Sequence, residues 1–411
     1  MARGQSWVMD GFLSSLGWDV LHPGAKGFFG QLGYILADID RTFSKVKSAE
    51  MLPKAWGTTG AERENEARFY LQNGLKGAAK EVYLRAALLY GRAQYSYYGD
   101  TPQKVNYNKA MVRCYEKVLE LEDTPCERKN VLFDNKKVFY VLHLPAKEVK
   151  EPVPLVILLP GMDMIKEDWH WPSHKYFLSK NIATVAIDGP GQGETLFNGL
   201  KVTLDNYEKA VSKVLDEVTK RPEIDANKIV LIGTSMGSYW GPRCAAYDKR
   251  IKGCAALLGA YAVPEGKAFD EAQPNFRTNF LYMTGLQEGP EFEELISNWT
   301  LDTIANKINV PMLLIHGEFD ELTKSEYAIK FYNELKTVKQ LWIYENEFHP
   351  LGNVAQQVFT ASLDWLLNVL KNEKIDNKIL YFATDGKVNE ISGLPWWSPE
   401  DWLELKSSRT L

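Results

Sequence analysis

Apolar residues recur every three or four positions in the first third of the chain, and the period then changes. "EARFYLQNGLKGAAKEVYLRAALLYGRAQYSYYG" (66–99) and "NKAMVRCYEKVLELE" (108–122) carry the helical spacing. Met111, Cys114, Tyr115, Val118 and Leu121 mark one face of the second segment. The paired helices end near "GDTP" without a second copy at a fixed period, so a helical repeat is not expected. Residues 1–126 therefore read as a helical N-terminal domain. It packs beside another domain, covers an active site, or does both.

After Cys126 the pattern becomes that of strands. "NVLFDNKKVFYVLHLP" (130–145) holds two β-rich runs around Asp134-Asn135-Lys136-Lys137, which predicts a hairpin. Continuous apolar runs follow at 153–161, 182–188, 228–232, 253–259, 310–317 and 339–345, with an amphipathic helix over 203–222. Such runs alternating with helices predict an α/β domain, residues 127–371, built on a mainly parallel buried sheet. Residues 262–307 interrupt the alternation and predict short inserted helices, a cap or lid. The stretch 372–411 contains "GLPWWSPEDW", and Trp396, Trp397 and Trp402 make it too apolar for a solvated tail. It is expected to dock on the body or on a second subunit.

Composition narrows the class without naming it. The 411 residues are 45% hydrophobic and 25% charged with a formal net charge of −5, so length suffices for a large core and no basic block suggests nucleic acid. Cys114, Cys126, Cys244 and Cys254 have no CxxC spacing, which favours free thiols. The N-terminal stretch lacks a continuous apolar segment of secretory type, and no run approaches the roughly 20 residues of a membrane helix. The expectation is a soluble, cytoplasmic protein without a membrane partner.

Chemistry concentrates where strands end. "IVLIGTSMGSYWG" (229–241) contains Gly233-Thr234-Ser235-Met236-Gly237, a G-x-S-x-G sequence between a strand and a helix. A serine on such a turn has an exposed Oγ, and bulkier residues at 233 and 237 would collide with the neighbouring backbone. Serine is a weak nucleophile at neutral pH and needs a base oriented by a carboxylate. Only His316 and His349 follow Ser235; His316 lies in an apolar strand, leaving His349 in "NEFHPLG" as the base. Asp320 in "HGEFDE" has the better spacing for the acid, with Glu318 and Glu321 as competitors. An oxyanion hole requires two converging N–H donors, expected from Met236 and from Met162 after Pro160-Gly161. Asp163 comes next, either as a turn or N-cap residue or as a group that meets the substrate.

Two patterns are discounted. Asp168, His170 and His174 in "DWHWPSH" have metal-like spacing, but Pro172 intervenes and no fourth ligand accompanies them, so no metal is expected. Gly189, Gly191 and Gly193 in "DGPGQGE" miss the dinucleotide spacing and read as a strand-end turn shaping the serine pocket. No cofactor is expected.

Together with the helical N-terminal region, "LLPGMDMIKED", "IDGPGQGE", "GTSMGSYWG", "HGEFD" and "FHPLG" resemble the α/β-hydrolase superfamily. More narrowly, the chain resembles the group of the FrsA esterase, the 2,6-dihydroxypseudooxynicotine hydrolase and fungal polyketide-shortening hydrolases. The resemblance implies an α/β-hydrolase fold and a Ser235-His349-Asp320 enzyme. Its substrate would be a small aromatic or polyketide-like molecule, cleaved at an ester or at a C–C bond beside a ketone. It further implies substrate held between the helical region and the core, a possible homodimer, and an assisting role for Asp163 in C–C cleavage. A ligand-binding, weakly catalytic protein on the same fold is the alternative.

Overall fold

The computed structural model describes residues 6–20, 23–146, 148, 150–261, 269 and 274–392. The tryptophans at 396, 397 and 402 lie outside the described residues, as does much of the first part of the expected insertion.

Six helices precede the sheet: α1 (Ser6–Leu16), α2 (Ala25–Gln31), α3 (Leu36–Phe43), α4 (Leu52–Gln72), α5 (Lys76–Tyr95) and α6 (Pro102–Glu120). The helical pattern over 66–99 is therefore the end of α4, a turn, and all of α5. α6 starts where the sequence says it should. The Thr101 hydroxyl accepts from the N–H of Lys104 at 3.1 Å, and Pro102 occupies the first turn, where its missing N–H costs nothing.

Among the described residues, ten strands form one sheet: β1 (Cys126–Phe133), β2 (Lys136–His143), β3 (Val153–Leu159), β4 (Ala183–Asp188), β5 (Ile224–Thr234), β6 (Ile251–Leu257), β7 (Met312–Gly317), β8 (Lys339–Tyr344), β9 (Lys378–Phe382) and β10 (Val388–Ile391). Their order is β1-β2-β4-β3-β5-β6-β7-β8-β9-β10. The pairs from β4 through β9 are parallel, and β1–β2, β2–β4 and β9–β10 are antiparallel. The expected hairpin closes through Asp134 and Asn135 at φ 48° and 58°, the left-handed pair that a two-residue hairpin turn requires. β9 and β10 were not anticipated as strands; they extend the sheet beyond β8, so this part of the C-terminal stretch does dock on the body.

Neighbouring residues of β3 explain how the layers assemble. Leu155, Ile157 and Leu159 belong to an apolar cluster on one face, with Tyr207, Tyr239 and Trp240. Val156 and Leu158 join the other face, whose cluster continues into the helical region through Phe28, Leu88 and Met111. Both faces are buried, which is why the strands read as unbroken apolar runs. After β6, the helices Pro274–Thr284 and Pro290–Ser297 form the described part of the insertion. Among the described residues, no helix is long and apolar enough to cross a membrane.

Candidate active site

β5 ends in the turn that carries Ser235, and the helix Gly237–Tyr247 begins directly after it. Ser235 sits at φ 53°, a left-handed conformation that costs a non-glycine residue energy. The flanking glycines make the turn possible. A Cβ on Gly233 would stand 2.0 Å from the Gly237 carbonyl oxygen, and one on Gly237 would stand 2.5 Å from that of Leu159.

The serine hydroxyl lies 2.8 Å from His349 Nε2, and His349 Nδ1 lies 2.8 Å from Asp320 Oδ2. The other Asp320 oxygen accepts from the N–H groups of Leu322 and Thr323 at 2.9 and 2.8 Å, which fixes the carboxylate. Glu318 and Glu321 have different work: they accept from the backbone N–H groups of Asn346 and His349 at 2.7 and 2.9 Å and hold the histidine loop. His316 is buried, with Nε2 2.8 Å from the Thr323 carbonyl, consistent with its structural reading.

Electrostatics couple the pair. Burial alone would raise Asp320, but the His349 ring outweighs it and holds the carboxyl below its ordinary value. Burial would likewise lower His349; the Asp320 carboxylate prevails and raises the imidazole above 6.5, with Glu321 and Asp163 adding to the rise.

Two peptide groups adjoin the serine turn. The Ser235 carbonyl accepts from the N–H and hydroxyl of Ser238 at 2.7 and 2.6 Å. In a trans peptide this turns the Met236 N–H the opposite way. The Gly161 carbonyl accepts from Gln192 Nε2 at 2.7 Å and from the Met164 N–H at 3.2 Å, which orients the Met162 N–H in the same manner. Gly161 runs against the serine, since a Cβ there would lie 3.0 Å from Ser235 Cβ. Gln192 is itself held by the Tyr207 hydroxyl, which donates to Oε1 at 2.6 Å.

The glycine-rich turn after β4 is thus a brace for this loop. Asp188 accepts from the backbone N–H groups of Lys166 and Glu194 and from Lys166 Nζ, at 2.8 to 3.0 Å, and Arg128 pairs with Glu194. A fully buried lysine is tolerable only with such partners.

Asp163 lies in the turn after β3. Its Oδ2 accepts from Arg92 Nη1 at 2.8 Å, and Arg92 comes from α5. Arg92 is buried, with Nε 3.2 Å from the Tyr34 hydroxyl and the guanidinium 4.4 Å from the centre of the Phe29 ring. Tyr34 donates in turn to Asp168 at 2.8 Å, so Asp168 belongs to this network and not with the histidines beside it in sequence. Burial opposes the charge on Arg92, but Tyr34, Asp163 and Asp168 overcome it and keep the guanidinium protonated.

Two connected hollows adjoin these groups. One is lined by Arg92, Tyr95, Tyr98, Asp163, Asn275 and Phe276, the other by Gln94, Lys104, Met162, Gln192, Asn279 and Tyr282. Their walls come from α5, the core loops and the inserted helix. A larger open groove lies between β1, β2 and the helix Asn206–Val218 and contains none of the residues above.

Arg92 and Gln192 escaped sequence reasoning. Each leaves a trace: Arg92 is a lone charge in "AALLYGRAQY", and Gln192 is the one long side chain within "GPGQG".

Comparison with known proteins agrees with this architecture. A family model described as esterase FrsA-like matches residues 56–263, just over half of the chain. The chain belongs to the FrsA-like esterase family. A prolyl oligopeptidase family model also matches residues 169–373. Among curated relatives, the 2,6-dihydropseudooxynicotine hydrolase of Paenarthrobacter nicotinovorans is 28% identical across 77% of this chain and 83% of its own length. The 20-hydroxy-prefusarin hydrolase of Gibberella moniliformis is 28% identical across 53% of this chain, and the chain spans about half of that relative's length, 54%. A crystal structure of the 2,6-dihydroxy-pseudo-oxynicotine hydrolase shares the fold at TM-score 0.74 and 24% identity, covering 85% of this chain and 97% of that one. The protein is an α/β-hydrolase-fold enzyme.

Proposed function

We propose that the chain is a serine hydrolase that works through an acyl-enzyme on an aromatic or polyketide-like small molecule. The observation that carries this reading is the hydrogen-bonded chain from Ser235 through His349 to Asp320, with the serine held at φ 53° on its turn.

Ser235 Oγ attacks the substrate carbonyl while His349 Nε2 takes its proton, and Asp320 orients the ring and stabilises its charge. The N–H groups of Met162 and Met236 receive the oxyanion, the first positioned by Gln192 and the second by Ser238. Collapse of the tetrahedral intermediate expels the leaving group, to which His349 returns the proton; water then resolves the acyl-enzyme by the same steps.

The bond cleaved is an ester or a C–C bond beside a ketone. The relatives are named as hydrolases of 2,6-dihydropseudooxynicotine and of 20-hydroxy-prefusarin, which supports a small-molecule substrate. Asp163 supports the C–C bond. Its carboxylate is near enough to His349 to raise the imidazole, and it is held by Arg92 at the wall of the cleft. There it meets a substrate hydroxyl or the ketone and assists protonation of the leaving carbon. In this reading residues 1–126 cover the site and 127–371 form the catalytic domain.

The test is intact-mass spectrometry after exposure to a fluorophosphonate, with Ser235→Ala in parallel. One adduct on the wild type and none on the variant is the expected outcome. An adduct that persists in a folded Ser235→Ala protein overturns the nucleophile assignment.

A further inference from the structure

His170 and His174 do have company, supplied by a residue some fifty positions earlier in the chain. Glu122, just past the end of α6, places Oε2 3.3 Å from His170 Nε2 and 3.6 Å from His174 Nε2. One nitrogen of each ring and one Glu122 oxygen all lie within 4.8 Å of each other. Metal–ligand bonds of about 2.0–2.2 Å to histidine and carboxylate put ligand atoms roughly 3.3 Å apart in a tetrahedral set, and the two Glu122 distances match that spacing.

The surroundings fit the same reading. Glu122 is 4% exposed at its side chain; Lys80 donates to Oε1 at 2.9 Å, while Oε2, like His174 Nε2, makes no hydrogen bond despite being buried. His170 Nδ1 lies 3.0 Å from the Tyr115 hydroxyl, an outer partner that fixes the ring with Nε2 towards Glu122. The His174 side chain is one-quarter exposed, which gives an ion a way in and leaves room for a solvent ligand. A second grouping of Cys126, His143 and His170 is less suited, because Tyr115 stands beside both Cys126 and His170, 4.0 Å and 3.0 Å away.

We propose that Glu122, His170 and His174 bind one divalent transition-metal ion, with zinc the ion of choice for two imidazoles and one carboxylate. The ion would tie the end of α6 to the irregular helical stretch between β3 and β4, and so fasten the helical region to the hydrolase core. This departs from the sequence expectation of no metal, which did not weigh Glu122. The inference does not rest on the serine chemistry.

Full-length protein stripped with chelator and dialysed is titrated with zinc chloride by calorimetry, and separately with cobalt(II), whose visible spectrum reports its coordination. Wild type is expected to bind one equivalent of zinc and to melt at higher temperature with it. Glu122→Gln and His174→Gln are each expected to weaken binding more than about tenfold. Cys126→Ser is expected to bind as wild type does, and His174→Gln to retain ester turnover. Absence of a one-to-one zinc isotherm, or wild-type binding in a folded His174→Gln protein, overturns the proposal. Loss of binding in Cys126→Ser with retention in Glu122→Gln would move the ion to the other grouping and overturn it equally.

Discussion

Replacing Gln192 by methionine tests how the Met162 N–H is aimed. The side chain is buried, donates to the Gly161 carbonyl at 2.7 Å, and accepts from the Tyr207 hydroxyl at 2.6 Å. Methionine has similar length and neither polar function. Loss of an oxyanion donor costs about 2.7–4 kcal/mol in the transition state. Here the donor is only loosened, because the Met164 N–H still holds the Gly161 carbonyl at 3.2 Å. Half of that cost, about 1.5–2 kcal/mol, corresponds to a kcat about 10- to 30-fold lower. KM should hardly move, since the interaction gains strength only as charge develops. The stranded Tyr207 hydroxyl should also lower stability, by about 1–3 kcal/mol. Tyr207→Phe separates the two effects: it removes the outer hydrogen bond, leaves the donor to Gly161, and should keep kcat within a few-fold. The assay is steady-state hydrolysis of a p-nitrophenyl ester with thermal unfolding of each variant. A folded Gln192→Met enzyme with wild-type kcat, or one altered only in KM, would refute the positioning role.

Three further outcomes follow from the same geometry. Gly237→Ala would force its Cβ to 2.5 Å from the Leu159 carbonyl oxygen, so folded yield and melting temperature should fall sharply; a wild-type melting curve would show that the turn can relax. Because Asp320 raises His349 and only the neutral imidazole serves as base, kcat/KM should fall as pH drops, with its midpoint above 6.5. The same raised value means this pair stabilises the fold below 6.5 and ceases to as pH rises through the folded-state value. Lys104, which burial brings down to about 7, lines the cleft as well, so the acid limb should be measured again in Lys104→Met and should persist. Asp163→Asn should slow cleavage of an aryl ketone by tenfold or more relative to ester hydrolysis, at least ~1.4 kcal/mol; equal losses on the two substrates would remove its special role.

Most of the sheet was legible because the strands are buried on both faces, and their continuous apolar runs stand out against the helices. β9 and β10 were not, since "KILYF" and "VNEI" are short, half-exposed strands at the end of the sheet beside charged residues. The Ser235, His349 and Asp320 positions were legible for a different reason: each must sit in a loop after a strand, and the chain order leaves one candidate base. Spacing favoured Asp320 over Glu318 and Glu321, and the structure adds direction: Asp320 reaches His349 Nδ1, while the other two accept from the N–H groups of Asn346 and His349. Arg92, Gln192 and Glu122 were hidden because their partners lie 71, 31 and about fifty residues away in sequence.

Arg92 and Glu122 share an origin in the way the helical region is attached. Most of its apolar side chains join the cluster on one sheet face, the one holding Val156 and Leu158, and among the described residues only Leu13, Val46 and Ala55 form a small cluster of their own. Rigid attachment there is what allows a side chain on α5 to hold Asp163 within hydrogen-bond distance. A guanidinium on a loosely tethered helix would be solvated and would hold nothing; one buried among Phe29, Tyr34 and Tyr95 has little freedom to leave. In the proposed function, the N-terminal helices would therefore act on the site through charge placement, with Arg92 holding Asp163. Arg92→Met should destabilise the protein by about 3–5 kcal/mol, because it strips Asp168 of its nearest cation while that carboxylate stays buried.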